Sequence, residues 1–161
     1  MLPDSTLAEA DSLLAACRTK GVTLATAESL TGGLIAAALT AIPESSDVLD
    51  RGFVTYSNQA KNEMVGVPME MIQQHGVVSE DVARAMAEGA LLRSRATIAI
   101  AVTGVAGPGG GTAAKPVGLV CFGLARRGQS TRTERQVFPG NRAAIRAATV
   151  LHALRLIREA L

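Results

Sequence analysis

Thr97-Ile98-Ala99-Ile100-Ala101-Val102-Thr103, running into Gly104-Val105-Ala106-Gly107-Pro108-Gly109-Gly110-Gly111, is the stretch that decides how this chain folds. Its first half is a near-continuous apolar run rich in β-branched residues, the pattern of a strand covered on both faces. A strand of that kind needs helices above and below it. Its second half holds five glycines in eight residues, which suits a backbone that comes close to a ligand; a plain flexible loop is the alternative.

Upstream, Ser79 is placed to cap a helix to about Arg95, with Val82, Met86, Ala90 and Arg93 along one side. Downstream, Val117–Ala125 reads as a strand, Arg126–Gln129 as a hairpin turn and Ser130–Phe138 as a returning edge strand. The last helix runs over about Arg142–Ala160, turning Ile145, Ala148, Leu151, Leu154 and Leu156 inward and Arg146, Arg155 and Arg158 to solvent. The N-terminal half alternates helix and strand. A helix over about residues 7–19 has Thr6 and Glu9 at capping-box spacing, Leu7, Leu14 and Cys17 on one face, and Gly21 at its exit. Val22–Ala27 is β-prone, and a helix after Ser29–Gly33 ends at Pro43. Phe53–Tyr56 reads as a strand, Asn58 as the cap of a helix to about Val65, and Met69–Gln74 as a short helix closed by Gly76. These elements predict a single α/β domain over residues 1–161. Its architecture is a three-layer α/β/α sandwich whose mixed sheet is mostly parallel, with an antiparallel edge hairpin.

Composition narrows the function. The formal net charge of +2 is too balanced for phosphate-backbone binding, and one Tyr, three Phe and no Trp leave few platforms for base stacking. Nucleic acid is therefore not an expected partner. No apolar run approaches the ~18 residues of a membrane span, and no secretory signal is visible. Cys17 and Cys121 stand alone, which argues against a disulfide framework and for a reducing, cytoplasmic setting. With no HExxH, no His/Cys cluster and no acidic pair of the DxD kind, neither a metal nor a cofactor is expected.

The strongest chemical signal is Ala27-Glu28-Ser29-Leu30-Thr31-Gly32-Gly33, a strand end turning into a helix. Ligands of open α/β sheets bind outside the carboxyl ends of strands, and a helix start offers N–H groups to an anion or a developing oxyanion. Ser29 there is placed like a nucleophile, although Ser29 or Thr31 capping the helix would look the same. A serine nucleophile needs a base. His75 reads as a helix end and His152 as surface or packing, which leaves Lys61 after Tyr56-Ser57-Asn58. A helix start and partial burial both disfavour its charge, and a neutral amine can take the serine proton. A solvated surface lysine is the plain alternative. Tyr56 is either a hydrogen-bonding partner in the site or strand packing. Glu28 is placed to orient Lys61, to hold a substrate hydroxyl or to meet solvent. Arg142, opening the last helix after Gly140-Asn141, would add charge to an anion site, and Lys115 is loop solvent within reach of a phosphate.

Taken in order, Glu28-Ser29-Leu30-Thr31-Gly32-Gly33, Tyr56-Ser57-Asn58 with Lys61, Gly76-Val77-Val78-Ser79-Glu80, Thr103–Gly110, Lys115-Pro116-Val117-Gly118 and Gly140-Asn141-Arg142 resemble one family over about residues 6–160. It is the C-terminal domain family of the competence-damage protein CinA, whose stand-alone members are nicotinamide-nucleotide amidohydrolases (PncC). The resemblance implies an α/β/α fold, a homo-oligomer and metal-free deamidation of nicotinamide mononucleotide to nicotinate mononucleotide and ammonia. It maps a Ser/Lys dyad onto Ser29 and Lys61, adds Tyr56 to them as a catalytic residue and puts Thr103 in the same pocket. The expected contacts to this small-molecule nucleotide substrate are Glu28, Thr31, Gly32, Gly33, Thr103, Gly104, Gly107, Gly109 and Arg142. The oxyanion would rest on N–H groups of Thr31–Gly33 or of the Gly104–Gly111 loop. Leu30, Glu44 and Asn141 depart from the family's frequent cysteine, glycine and aspartate. The alternative from a different class is a non-catalytic nucleotide-binding module with the glycine segments as phosphate cradles.

Overall fold

The computed structural model describes residues 2–161, and its centre is a five-stranded sheet in the order β2-β1-β3-β4-β5. The strands are β1 (Leu24–Glu28), β2 (Leu49–Val54), β3 (Ile98–Gly104), β4 (Leu119–Arg126) and β5 (Arg132–Val137). β1 pairs parallel with β2 and with β3, whereas β3–β4 and β4–β5 are antiparallel, so β4 alone runs against the rest. The decisive apolar run lies in the middle of the sheet as β3 and is buried from Ile98 through Thr103.

Strand periodicity sorts the side chains of β3 into two unlike layers. Ile98, Ile100 and Val102 pack with α1 (Asp4–Lys20), α2 (Leu34–Thr40) and α6 (Arg142–Glu159). Ala99 and Ala101 face α5 (Glu80–Leu92), beside which lie α3 (Asn58–Val65) and α4 (Met69–His75). The second layer is built from small residues, so α5 comes very close to the sheet. A Cβ at Gly123 of β4 would overlap the Ala83 carbonyl of α5, and one at Gly89 of α5 would overlap the Val65 carbonyl that ends α3. Small residues thus set how near α3 can come to the strand ends.

Several boundaries differ from the expected ones. β2 covers Leu49–Val54 rather than Phe53–Tyr56, because it is an edge strand carrying Asp50 and Arg51, which hide its alternation. α2 starts only at Leu34, since Gly32 and Gly33 take positive φ (58° and 105°) and make a turn first. Thr6 does not cap α1. Pro3 precedes the helix with no side-chain cap, Thr6 is buried inside, and Glu9 pairs with Arg158 at 2.7 Å. Ser57, not Asn58, caps α3 through Ala60 N. α5 stops at Leu92, short of Arg95. On α6, Ile145, Leu154 and Leu156 are buried, while Ala148 and Leu151 are only half-buried. Glu44, at the family's frequent glycine position, is the one non-glycine residue at positive φ (63°) among those described. Its carbonyl accepts from Arg18, which also pairs with Asp47.

The topology explains where a site can form. From β1 the chain moves to β2 on one side and later to β3 on the other. The segment after β1 enters α2 on one layer, and those after β2 enter helices of the opposite layer. A crevice opens where such connections part, at the carboxyl ends of the strands. Gly89→Ala tests the closeness that shapes this end. Gly→Ala inside a helix ordinarily gains about 1 kcal/mol. Here the clash with the Val65 carbonyl should win, for a net loss of about 1–3 kcal/mol read as an earlier thermal midpoint.

Candidate active site

Ser29 follows the last residue of β1 and is held there by its N–H, which donates to Val102 O of β3 at 3.2 Å. Lys61 enters from α3, whose start is fixed by the Ser57 cap and by the Lys61 N–H on Ser57 O at 3.1 Å. The two side chains, 32 residues apart in sequence, meet: Lys61 Nζ donates to Ser29 Oγ at 3.0 Å and to Thr55 O at 2.8 Å. Lys61 is 1% exposed, yet no ion pair among the described residues includes it. Burial penalises its charge and nothing offsets the penalty, so its pKa is pushed down from 10.5 to about 8.

Around this pair is a cavity of about 250 Å³ lined by Ser29, Leu30, Tyr56, Asn58, Lys61, Val77, Val78, Thr103, Gly104, Ala106 and Arg142. Thr103 and Gly104 close β3, and Tyr56 lies two residues beyond β2, so three parallel strands contribute from their carboxyl ends. Thr103 Oγ1 donates to Val77 O at 2.9 Å and fixes the segment before Ser79 as one wall. At the mouth, Arg142 donates from Nη1 to Gly107 O at 2.7 Å and from Nη2 to Tyr56 OH at 3.1 Å. Tyr56 is 61% exposed, and its hydroxyl bonds to Arg142 rather than to Ser29 or Lys61.

Other expected contacts lie elsewhere. Glu28 is 1% exposed and neither orients Lys61 nor faces the cavity. Its carboxylate accepts from Thr31 Oγ1 at 2.5 Å, Ile35 N at 2.8 Å and Ala36 N at 3.0 Å, so it caps the start of α2 from the strand behind it. That engages Thr31 as well. Gly32 and Gly33 shape the turn, and neither Gly107 nor Gly109 lines the cavity. Lys115 is not free in the loop, because it donates to His75 O at 2.7 Å. His152 packs its ring on Phe122 and Phe138 and bonds to Glu134. Among the described residues no three His, Cys, Asp or Glu side chains come together to hold a metal ion, and no helix is long and apolar enough to cross a membrane.

The turn from Ser29 to Gly33 separates its N–H groups into two sets. Gly32 N donates to Ser29 O at 3.0 Å and is already engaged. Leu30 N, Thr31 N and Gly33 N have no acceptor among the described residues, and Leu30 lines the cavity. Buried N–H groups are paired in the great majority of cases, so two adjacent unpaired ones beside a serine are an opening for an incoming oxygen. Behind the turn, Arg146 donates from Nε to Leu30 O at 3.0 Å and from Nη2 to Thr31 O at 3.3 Å. Arg146 is therefore not a solvent-facing residue of α6. Its spacing of four from Arg142 was a usable signal, since i and i+4 share a helix face. Val77 and Val78 also went unassigned, an apolar pair between Gly76 and the Ser79 cap with no helix or strand to explain it.

These features define an α/β/α protein with a hydrogen-bonded serine and buried lysine in the crevice at its strand ends. The chain belongs to the CinA C-terminal domain family, whose model matches residues 6–161. It is 53% identical over 130 residues to a CinA-like protein of Akkermansia muciniphila, covering 81% of this chain and 31% of that protein. The chain thus spans about a third of the length of the curated relatives it matches. In the crystal structure of the competence/damage inducible protein CihA from Agrobacterium tumefaciens, 46% identical, the fold superposes with a TM-score of 0.96 over 99% of this chain and 97% of that one. A CinA superfamily protein of Escherichia coli, 34% identical, superposes at 0.93 over 100% of this chain and 94% of its own.

Lys61→Met tests the cost of the enclosed amine. Below about pH 8 the ammonium is charged in both folded and unfolded chains and loses solvation only on folding. That cost is on the order of 3 kcal/mol before the lost hydrogen bonds are subtracted. It fades as pH rises from about 8 toward 10.5, where the unfolded chain also becomes neutral. The variant should resist urea better than wild type at pH 7, and its advantage should shrink above pH 8. A gap that ignores pH would mean that Lys61 keeps its ordinary pKa.

Proposed function

We propose that the chain is a serine amidohydrolase that converts nicotinamide mononucleotide to nicotinate mononucleotide and ammonia. The observation that carries this reading is the buried, unpaired Lys61 amine 3.0 Å from Ser29 Oγ. A non-catalytic nucleotide cradle would have no need of a buried lysine with a lowered pKa. The pyridine nucleotide is taken from the family resemblance, and a cavity of about 250 Å³ has room for a pyridine ring with its carboxamide.

A neutral Lys61 donates one N–H to Thr55 O, which leaves its lone pair for the Ser29 hydroxyl. Lys61 takes that proton as Ser29 Oγ attacks the carboxamide carbon. Negative charge gathers on the amide oxygen, and Leu30 N–H and Thr31 N–H are the donors assigned to it. The residue after a serine nucleophile commonly serves this way. Each such donor is typically worth about 10²–10³ in turnover. As the C–N bond breaks, Lys61 returns its proton to the leaving nitrogen and ammonia departs. Water then attacks the ester carbon, Lys61 accepts its proton, and that proton restores the Ser29 hydroxyl as nicotinate mononucleotide leaves. The cycle balances without metal or cofactor. Arg142, at the mouth, is the assigned partner of the substrate phosphate, with Tyr56 holding its guanidinium in place. We assign the reaction to the cytoplasm and to a homo-oligomer.

An ammonia-release assay with nicotinamide mononucleotide, run on wild type and Ser29→Ala side by side, decides the reading. Activity is expected in the first and a loss of at least about 10³-fold in the second; substantial turnover by Ser29→Ala would reject the nucleophile. With Lys61 as base, kcat/KM should rise about tenfold per pH unit up to about pH 8 and level above it. A profile flat from pH 6 to 9 would remove the neutral amine from the mechanism.

A further inference from the structure

We infer that Arg146 is a positioning residue that holds Thr31 N–H as an oxyanion donor beside Ser29, an inference that rests on the acyl-transfer reading of Ser29 and Lys61. Leu30 O accepts from Arg146 Nε and from no other group among the described residues. The peptide between Leu30 and Thr31 is trans, since the one cis bond described is Gly107–Pro108. In a trans peptide the N–H opposes the C=O. Fixing Leu30 O on the guanidinium therefore directs Thr31 N–H to the opposite side, away from Arg146. Leu30 N–H and Thr31 N–H are the adjacent groups of this turn that lack acceptors.

Charge adds to orientation. A cation on the oxygen of a peptide polarises it, which strengthens the hydrogen bond its N–H can give. Arg146 is half-buried and belongs to none of the ion pairs among the described residues. No carboxylate pairs with it directly, and of the two peptide oxygens it meets, Leu30 O belongs to the peptide whose N–H has no acceptor, whereas Gly32 N–H, on the Thr31 peptide, is already on Ser29 O. Lysine would supply the charge but only a point contact, because the planar fork that meets both carbonyls is particular to arginine. If Arg146 merely stitched α6 to the turn, its loss would lower stability and leave the chemistry intact.

Arg146→Ala, Arg146→Gln and Arg146→Lys separate these roles in the full chain with nicotinamide mononucleotide. In Arg146→Ala, kcat is expected to fall roughly 10–100-fold, less than the about 10²–10³ lost with a donor itself. KM should stay within about threefold, and the pH midpoint set by Lys61 should not move. Millimolar guanidinium chloride should restore several-fold of the activity of Arg146→Ala, whereas sodium chloride at equal ionic strength should not. Arg146→Lys and Arg146→Gln should fall between wild type and Ala. Wild-type kcat in any folded variant overturns the inference, as does a loss that guanidinium does not relieve. Should Arg146→Ala fail to fold, Arg146→Gln and Arg146→Lys carry the same comparison. Residual turnover by Ser29→Ala would instead refute the acyl-transfer reading itself.

Discussion

A lysine amine enclosed in protein with no carboxylate beside it is the constraint around which this molecule is arranged. A partner carboxylate would offset the lost hydration and hold the proton on, raising the pKa. Lys61 has only neutral oxygens, Thr55 O and Ser29 Oγ, within hydrogen-bonding reach. These accept two of its hydrogen bonds without supplying negative charge, so the side chain is both ordered and easily deprotonated. The price is stability at neutral pH, and the surrounding fold has to supply it. It does so through the Ser57 cap that starts α3 and the close α3–α5 packing at Gly89.

Acidic groups near the site are directed elsewhere. Glu28 is next to Ser29 in sequence, yet its carboxylate turns back to the first N–H groups of α2. A helix start is where a carboxylate is most easily accommodated. The arrangement thus anchors the helix that follows the serine and keeps negative charge off Lys61. The two arginines of α6 divide in a comparable way, Arg142 toward the mouth of the cavity and Arg146 toward the back of the Ser29 turn.

The layers and the direction of the strands could be read from the sequence wherever a periodic signal is strong. β3 is apolar on both faces, α5 announces itself through Ser79, which accepts from the backbone N–H three residues on, and α6 through its apolar spacing, whereas the cap that Asn141 gives α6 was not read. The polar edge strand β2 was misplaced because four of its six residues face water and no apolar alternation survives there. Ser29 and Lys61 were legible as types in suggestive positions, since a serine at a strand end and a lysine near a helix start both leave local traces. The destinations of Glu28 and Arg146 were not. Each depends on how helices of one layer lie against the strand ends, and side-chain direction across such a contact has no signature in spacing alone. Tyr56 illustrates the same limit: its position beyond β2 was foreseeable, but the turn of its hydroxyl toward Arg142 depends on α6, 86 residues away.

The two layers should also age differently as the sequence drifts. Where Leu, Ile, Val and Phe122 interdigitate with α1, α2 and α6, one branched side chain can yield to another and its neighbours can shift to fill the gap. The alanine layer under α5 has no such slack, because backbone there rests nearly on backbone at Gly89 and Gly123. Variation among descendants of this chain should therefore gather in the first layer, leaving the second as an almost unchanging floor beneath the lysine.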